Sequence, residues 1–301
     1  MIKLFTHTDL DGVGCAILAK LAFGENADIE YCNYDDINSK VEEYFNNDSK
    51  DECHITDISI NDELANKINE SNKRYRLLDH HATALDLNKY DWCWVKVEDE
   101  ENNIKTSGTE LYYWWLIDNG HLKNNKALSK FVEIIRNYDT WRWATLGEEG
   151  VISKQINDLL YLYGREEFIN WCISGINKKS FPKLSNSDKL ILKLEQKKID
   201  DYIKAKDKHL FIGNLCGKVC GFVFAEKYSS ELGNKLCEMH PEFDFVAIIN
   251  MDGTVSYRTI KDDIDLGKDV AQVLGGGGHL KAAGSRFSNE TKLNIIREIF
   301  K

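Results

Sequence analysis

The chain has 301 residues, of which 43% are hydrophobic and 11% aromatic, a composition that excludes a disordered protein and is sufficient for two domains. Its net charge of −10 argues against a protein that coats long duplex nucleic acid, because such binding depends on cationic side chains that displace counterions. We expect neither a membrane helix nor a signal peptide, since the chain has no run of about 18 apolar residues and no basic leader.

The first half of the chain alternates between short apolar strands and helices, beginning with a strand over residues 2–6 and a helix over Leu10–Phe23. Alternation of this kind predicts a parallel sheet with both faces covered. The other predicted strands are residues 28–34, 53–56, 74–78 and 92–97. The other predicted helices are residues 37–45, 61–72, 107–118, 126–138, 151–163 and 166–174.

Acidic and imidazole side chains follow three of these strands. The first strand leads into His7-x-Asp9-x-Asp11-Gly12, the third into Asp57 and the fourth into Asp79-His80-His81. Ligands of parallel sheets bind beyond the carboxyl ends of the strands, and Asp9 and Asp11 would repel each other unless a cation lay between them. A solvated Asp-Gly turn would explain one such group. Three groups at the same edge predict a metal centre.

Two later features have simpler interpretations when each is taken alone. The aromatic run of residues 112–115 favours core packing over a platform that stacks nucleotides. Asp139, in Asn137-Tyr-Asp139-Thr-Trp141, reads as an ordinary residue at the end of a helix.

The eight cysteines include no Cys-x-x-Cys pair. Most lie in apolar stretches, which is typical of reduced core thiols, so the pattern predicts a cytoplasmic protein and disfavours a zinc finger. The acidic excess is concentrated in residues 1–208, with a net charge of −9, whereas residues 209–301 carry −1. Bound divalent cations would offset part of the excess where the candidate ligands lie.

The charged stretch of residues 187–208 predicts a long exposed helix that connects two domains. We expect a first domain over residues 1–180, a helical linker over 181–208 and a smaller α/β domain over 209–301. In this last domain Asp252-Gly253 is typical of a hairpin turn. Its predicted strands are residues 210–212, 219–225, 243–250 and 254–260, and its predicted helices are residues 231–239, 266–274 and 291–300.

Four consecutive glycines precede His279 in the second domain. Glycines before a predicted helix start can present backbone N–H groups to an anion. A flexible linker is the alternative, but the apolar residues on both sides require burial and argue against it. Arg258 on the preceding strand adds positive charge. The stretch therefore predicts a phosphate-binding loop that consists of Gly276, Gly277, Gly278 and His279.

Taken together, the motifs His7-x-Asp9-x-Asp11, Asp57, Asp79-His80-His81 and Asp139 resemble, in order, the four motifs of the DHH phosphoesterase superfamily. Residues 275–284 resemble the glycine-rich signature of its companion DHHA1 domain. The resemblance covers nearly the whole chain, and residues 10–23, 137–141 and 256–260 are most similar to the nanoRNase B type of oligoribonuclease. It implies an α/β fold with an N-terminal parallel-sheet DHH domain, a helical linker and a smaller α/β DHHA1 domain.

The resemblance also implies a centre of two Mn²⁺ ions, with Mg²⁺ or Co²⁺ as alternatives. Carboxylates and imidazoles without a thiolate suit Mn²⁺. One ion would be held by His7, Asp9 and Asp57, and the other by Asp11, Asp57, His80 and Asp139. Asp57 would then bridge the two ions.

The implied reaction is hydrolysis of short single-stranded RNA or dinucleotides to 5′-mononucleotides. Two cations about 4 Å apart can acidify a shared water and stabilise charged oxygens. Asp57, Asp79 and His81 are the implied catalytic residues, with Asp79 supporting the imidazoles and His81 reaching the substrate phosphate. We expect Arg258 and the glycine-rich loop to hold a second phosphate or the terminal nucleotide, across a gap that admits only short strands.

Two other interpretations stay open at this stage. The same chemistry suits cyclic nucleotides, linear or cyclic dinucleotides and 3′-phosphoadenosine phosphate. A catalytically silent nucleotide-sensing module is a candidate from another class. The expected partners exclude long duplex nucleic acid and membranes, and the oligomeric state is left open.

Overall fold

The protein is described by a computed structural model that covers residues 1–47, 51–71 and 74–301. It divides into two compact units, Met1–Leu192 and Lys193–Lys301. Within these described ranges no helix has both the length and the apolar character needed to cross a bilayer.

The first unit is built on a five-stranded parallel sheet, as predicted. Its strands are β1 (Ile2–His7), β2 (Ala27–Cys32), β3 (Glu52–Thr56), β4 (Tyr75–Asp79) and β5 (Cys93–Val95). They lie in the order β2-β1-β3-β4-β5. Since β1, β3 and β4 are neighbours, the three strands that precede the acidic motifs end side by side.

Helices cover both faces of this sheet, because its strands are apolar on both sides. Leu4 of β1 packs into one core and Phe5 into the other, and both are fully buried. The helices are α1 (Leu10–Phe23), α2 (Ile37–Asn46), α3 (Asp62–Asn69), α4 (Gly108–Asp118), α5 (Lys126–Asp139), α6 (Glu148–Tyr163) and α7 (Arg165–Asn177). Residues of α1, α4, α5, α6 and α7 contribute to the core around Leu4, and residues of α2 and α3 to the core around Phe5.

Several short elements of the first unit were not predicted. A 3₁₀ helix, Ala82–Lys89, follows β4, and a small antiparallel pair consists of β6 (Glu98–Asp99) and β7 (Ile104–Lys105). The predicted strand over residues 92–97 is correspondingly shorter in the structure. The predicted helix over residues 61–72 begins and ends within this range, although Asn72 itself lies outside the described residues.

The second unit contains a mixed six-stranded sheet in the order β12-β13-β11-β10-β9-β8, with β9 and β10 parallel. Its core residues lie on both faces of this sheet. The strands are β8 (Phe211–Leu215), β9 (Lys218–Phe224), β10 (Phe245–Ile249), β11 (Thr254–Arg258), β12 (Gly277–Gly278) and β13 (Ala282–Arg286). Helix α8 (Asn186–Asp207) precedes the sheet, α9 (Ser229–Met239) lies between β9 and β10, and α10 (Asn289–Ile299) follows β13.

Helix α8 is less exposed than the solvated connecting helix that its charge pattern predicts. Leu192 belongs to the core of the first unit, and Ile199 and Ile203 to a core of the second. Leu190 and Leu194 are exposed, as expected for a charged helix. The helix is therefore amphipathic and contributes to both cores.

The prediction of a helix start after the four glycines is wrong. Gly277–Gly278 is a short strand that pairs with β13 in an antiparallel hairpin. The backbones approach closely here, since a Cβ on Gly276 would lie 2.0 Å from the carbonyl oxygen of Gly284. Gly278 also has a φ of 144°, which glycine adopts without strain. The predicted helix of residues 266–274 is a π turn, Gly267–Ala271, followed by a 3₁₀ turn, Gln272–Leu274.

Candidate metal centre

The carboxyl edge of the parallel sheet carries a cluster of carboxylates and imidazoles. His7 ends β1, Asp79 ends β4, and Asp57 follows β3. Asp139, the last residue of α5, joins the cluster from outside the sheet. The ligand atoms form three sets, each with all its atoms within 4.8 Å of one another: His7, Asp9 and Asp57; Asp11, His80 and Asp139; and Asp57, Asp79, His80 and His81.

The first set is ordered by the turn between β1 and α1. His7 Nδ1 lies 2.9 Å from Asp9 Oδ2, and Asp9 caps α1 by accepting a hydrogen bond from the backbone N–H of Gly12 at 3.1 Å. Burial by itself raises the pKa of Asp9, but the hydrogen bond and charge of His7 outweigh it and hold the pKa below its ordinary value. A Cβ on Gly12 would lie 2.1 Å from the carbonyl oxygen of His7, so the turn requires glycine.

His80 is at the centre of the second set. Its Nε2 lies 3.2 Å from Asp57 Oδ1 and 3.6 Å from both Asp11 Oδ2 and Asp139 Oδ2. The structure thus brings together the ligands predicted for the second ion, and His80 contacts the predicted bridging residue, Asp57.

The N-terminus of α4 holds the carboxylate of Asp11. The backbone N–H groups of Gly108 and Thr109 donate to its two oxygens at 2.6 and 2.9 Å, and the Thr109 hydroxyl donates to the Asp11 carbonyl at 2.7 Å. Because the positive end of a helix dipole stabilises an anion, the start of α4 partly offsets the cost of burying the Asp11 carboxylate, whose side chain is fully buried. Sequence reasoning missed this contribution, although Ser107 followed by Glu110 is typical of a helix start.

Asp57 is placed where a carboxylate is unfavourable without a cation. It is buried and has a φ of 58°, and its Oδ2 has no hydrogen-bond partner among the described residues. Burial, followed by the charges of Asp11 and Asp9, raises the pKa of Asp57 well above its ordinary value, and the same causes raise the pKa of Asp139. An unpaired buried oxygen within an all-oxygen-and-nitrogen donor set fits a hard divalent cation.

Asp79 supports the neighbouring histidines. Its Oδ1 accepts hydrogen bonds from the backbone N–H of His80 at 2.8 Å and from His81 Nδ1 at 2.7 Å, and its Oδ2 accepts one from the Ser59 hydroxyl. With both oxygens engaged and full burial, Asp79 fixes the orientation of the His81 ring. Nε2 of His81 lies 3.1 Å from the hydroxyl of Tyr34.

Sequence reasoning also missed Tyr34 at this centre. It follows β2, which lies next to β1, so its position past a strand end at the same edge is the signal that was available.

The predicted phosphate-binding residues lie in the second unit. The guanidinium of Arg258 donates to the carbonyl of Tyr257 at 2.8 Å and to the hydroxyl of Ser230 at 3.1 Å. The backbone N–H of Gly276 donates to Ala271. Gly277 and Gly278 form β12, and the backbone N–H of the exposed His279 donates to Ala282. Some of the N–H groups expected to bind an anion thus take part in the hairpin.

No family model matches the chain, but two curated proteins are similar to it over nearly its full length. Oligoribonuclease NrnB of Bacillus subtilis (strain 168) is 38% identical over 313 residues, covering 100% of this chain and 76% of that protein. The 3′,5′-cyclic-nucleotide phosphodiesterase of Helicobacter pylori (strain ATCC 700392 / 26695) is 24% identical over 342 residues, covering 98% and 93% respectively.

The fold is shared with a solved structure, exonuclease RecJ bound to manganese, with a TM-score of 0.59 and 14% identity over 99% of this chain and 88% of that one. The predicted α/β DHH fold is thereby confirmed. Together with the identity to NrnB over the whole chain, this shows that the protein belongs to the DHH family of phosphodiesterases that includes oligoribonuclease NrnB.

Proposed function

We propose that this protein is a Mn²⁺-dependent oligoribonuclease that hydrolyses very short RNA to 5′-mononucleotides. The observation that carries the proposal is the unpaired, buried Oδ2 of Asp57 among the carboxylates and imidazoles of the three ligand sets. NrnB, the 38% identical relative, is named an oligoribonuclease, and RecJ, which has the same fold, was solved with manganese.

In this proposal two divalent cations would be held at the centre. His7, Asp9 and Asp57 would hold one, and Asp11, Asp57, His80 and Asp139 the other, so that Asp57 would be common to both. When bound, the cations supply the Lewis acidity that activates water and offsets the charge of the phosphodiester. The residues themselves fix the donor atoms: Gly108 and Thr109 hold Asp11, and Asp79 holds the backbone of His80.

His81 is the residue proposed to contact the substrate phosphate. Asp79 accepts the hydrogen bond from Nδ1 and leaves Nε2 directed to the rim of the centre, where the Tyr34 hydroxyl lies. As an imidazolium, His81 also carries a proton on Nε2, and a donor held in place before the reaction stabilises developing charge without having to reorganise. Asp79 acts through His81 and does not touch the substrate.

A panel of substrates tests this function most directly. RNAs of two to five nucleotides, labelled at the 5′ end, are incubated with the Mn²⁺-loaded protein, and the products are separated. We expect 5′-mononucleotides as the end products. Parallel reactions contain cyclic AMP, cyclic di-AMP, its linear form and 3′-phosphoadenosine phosphate. Failure to cleave the short RNAs while cleaving one of these compounds would overturn the proposed substrate.

Cyclic nucleotides are the second candidate substrate, because the 24% identical relative is named a 3′,5′-cyclic-nucleotide phosphodiesterase. A nucleotide sensor without activity would bind Mn²⁺ and leave every compound of the panel intact. Calorimetric titration of the same protein with Mn²⁺ distinguishes such a sensor, which binds the ion, from an inactive preparation that does not bind it.

A further inference from the structure

Tyr34 lies at the rim of the metal centre and has no role in the chemistry described above. It follows β2 at the carboxyl edge of the sheet, and 60% of its surface is exposed. A large ring with this exposure buries little apolar area, so packing alone does not explain its position.

The contacts of Tyr34 hold it against the centre. Its hydroxyl lies 3.1 Å from His81 Nε2. Its ring centroid lies 5.2 Å from that of His7, at an interplanar angle of 46°, and 6.0 Å from that of His81, at 90°. These two histidines come from different strands, so Tyr34 spans the rim between the first ligand set and the proposed phosphate contact.

A phosphate that contacts His81 would lie next to Tyr34, because the Tyr34 hydroxyl is 3.1 Å from His81 Nε2. A nucleobase is joined to its phosphate by a single ribose, so a phosphate between His7 and His81 places its base within reach of Tyr34. Asp9 and Asp57 belong to the same ligand set as His7, whose ring contacts Tyr34, so their carboxylates disfavour a second anionic group at this point, whereas a neutral base meets no such repulsion. Stacking of a base on an aromatic side chain contributes about 1–3 kcal/mol and tolerates every base.

We propose that Tyr34 binds the base of the nucleotide whose phosphate lies at the metal centre, by stacking its exposed ring on that base. This inference rests on the proposed function and deepens it, because it names the part of the substrate that the centre recognises besides the phosphate. It makes Tyr34 a determinant of the preference for nucleotides over other phosphate esters.

The test compares AMP with ribose 5-phosphate, which carries the same phosphate and sugar without a base. Calorimetry measures the Kd of each ligand for the Mn²⁺-loaded full chain. We expect the Kd of ribose 5-phosphate divided by the Kd of AMP to fall by about 5- to 150-fold in Tyr34→Leu, in line with the stacking energy. Tyr34→Phe and Tyr34→Trp keep a ring and retain the ratio. Tyr161→Leu, at an exposed tyrosine of α6, is the matched control and retains it as well.

Because this readout needs no turnover, it is independent of the test of the proposed function. Wild-type protein that discriminates the two ligands through Tyr34 but cleaves no RNA would refute the activity and support the inference. The inference is overturned if Tyr34→Leu keeps the wild-type ratio, or if the wild-type protein shows no preference for AMP. Loss of the ratio in Tyr34→Phe would overturn it too, since the hydroxyl and not the ring would then be responsible.

Discussion

Asp57 combines several features that destabilise a protein when no cation is bound. Its backbone is left-handed, its carboxylate is buried, and one oxygen is unpaired in the described structure. Such strain persists where the surrounding structure enforces it, and it is concentrated at functional sites. We therefore expect Asp57 to lower the stability of the metal-free protein and to be required for metal binding.

Asp57→Asn separates these two effects. Asparagine tolerates a left-handed backbone, so the variant should fold. Removing the charge should raise the melting temperature of the metal-free protein, because the cost of burying a carboxylate and its repulsion from Asp11 and Asp9 are both relieved. Hydrolysis of dinucleotides should fall by more than the roughly 100-fold seen when residues that support metal ligands are replaced. Melting is followed by circular dichroism in EDTA, and turnover is measured with Mn²⁺.

Asn61→Ala, at the N-cap of α3, is a control for the melting experiment, because it removes the hydrogen bond that Leu64 N–H donates to Asn61 and leaves every candidate ligand in place. It should lower the melting temperature and leave turnover unchanged. An Asp57→Asn variant that is both less stable without metal and fully active would remove Asp57 from the centre.

His54 makes the stability of the protein depend on pH. It is fully buried on β3, and its Nδ1 lies 2.8 Å from the Tyr112 hydroxyl. Burial lowers its pKa below 6.5, against the opposing effect of Glu52. Below about pH 6.5 the unfolded chain therefore binds a proton that the native protein does not bind. The free energy of unfolding consequently decreases as the pH is lowered below 6.5, by up to about 1.4 kcal/mol per pH unit.

This contribution is measured by urea unfolding at several pH values between 5 and 8, in the wild type and in His54→Gln. The variant lacks the titrating group, so its free energy of unfolding should fall less steeply below pH 6.5, whatever its stability at pH 8. Parallel curves for the two proteins would show that His54 does not contribute.

At the scale of elements, the start of α4 holds two of the carboxylates in place. Its first N–H groups bind Asp11, and Gly108 packs directly on Asp57: a Cβ on this glycine would lie 2.4 Å from the Cβ of Asp57. Only glycine allows the helix to start so close to the centre.

Gly108→Ala should therefore push the end of α4 away from both carboxylates. We expect Mn²⁺ affinity to fall by at least about 10-fold, as for other residues that orient metal ligands, and the free energy of unfolding to fall by about 1–3 kcal/mol. Gly175→Ala in α7 is the matched control, since its nearest neighbour is a ring atom of Phe181 at 3.3 Å. Calorimetry gives the affinity and urea unfolding the stability; equal Mn²⁺ affinities in the two variants would contradict the role of Gly108.

At the scale of the whole molecule, the net charge of −10 limits the substrates that can bind. The logarithm of the affinity for a single strand falls linearly with the logarithm of the salt concentration, and the slope is proportional to the number of phosphates that the protein contacts. Two contacts predict a loss of only about sevenfold between roughly 50 and 200 mM salt. We expect the KM of a dinucleotide to follow this shallow dependence, and long duplexes not to bind in gel-shift experiments. A steep dependence, equivalent to six or more contacts, would indicate an extended binding surface instead.

Much of the fold could be predicted because its signals are local. Apolar runs that end in Asp or His indicate buried strands, and their alternation with helices indicates a parallel sheet. Helix α1 was predicted over the same residues as observed. The glycine-rich hairpin was not predictable in this way, because strand pairing with β13 decides its conformation. The roles of His279 and Arg258 in binding phosphate stay predictions, as does the boundary of the linker.

By itself the sequence determined which ligand types follow the strands, since His7, Asp57 and Asp79 come directly after apolar runs. The family resemblance named Asp139 as a further ligand and did not name Tyr34, and only the tertiary structure decided how these distant residues join them. Asp139 and Tyr34 reach the centre because helix packing and strand order place α5 and the end of β2 beside it. Such neighbours depend on contacts between residues far apart in the chain, and no local pattern of side chains encodes them.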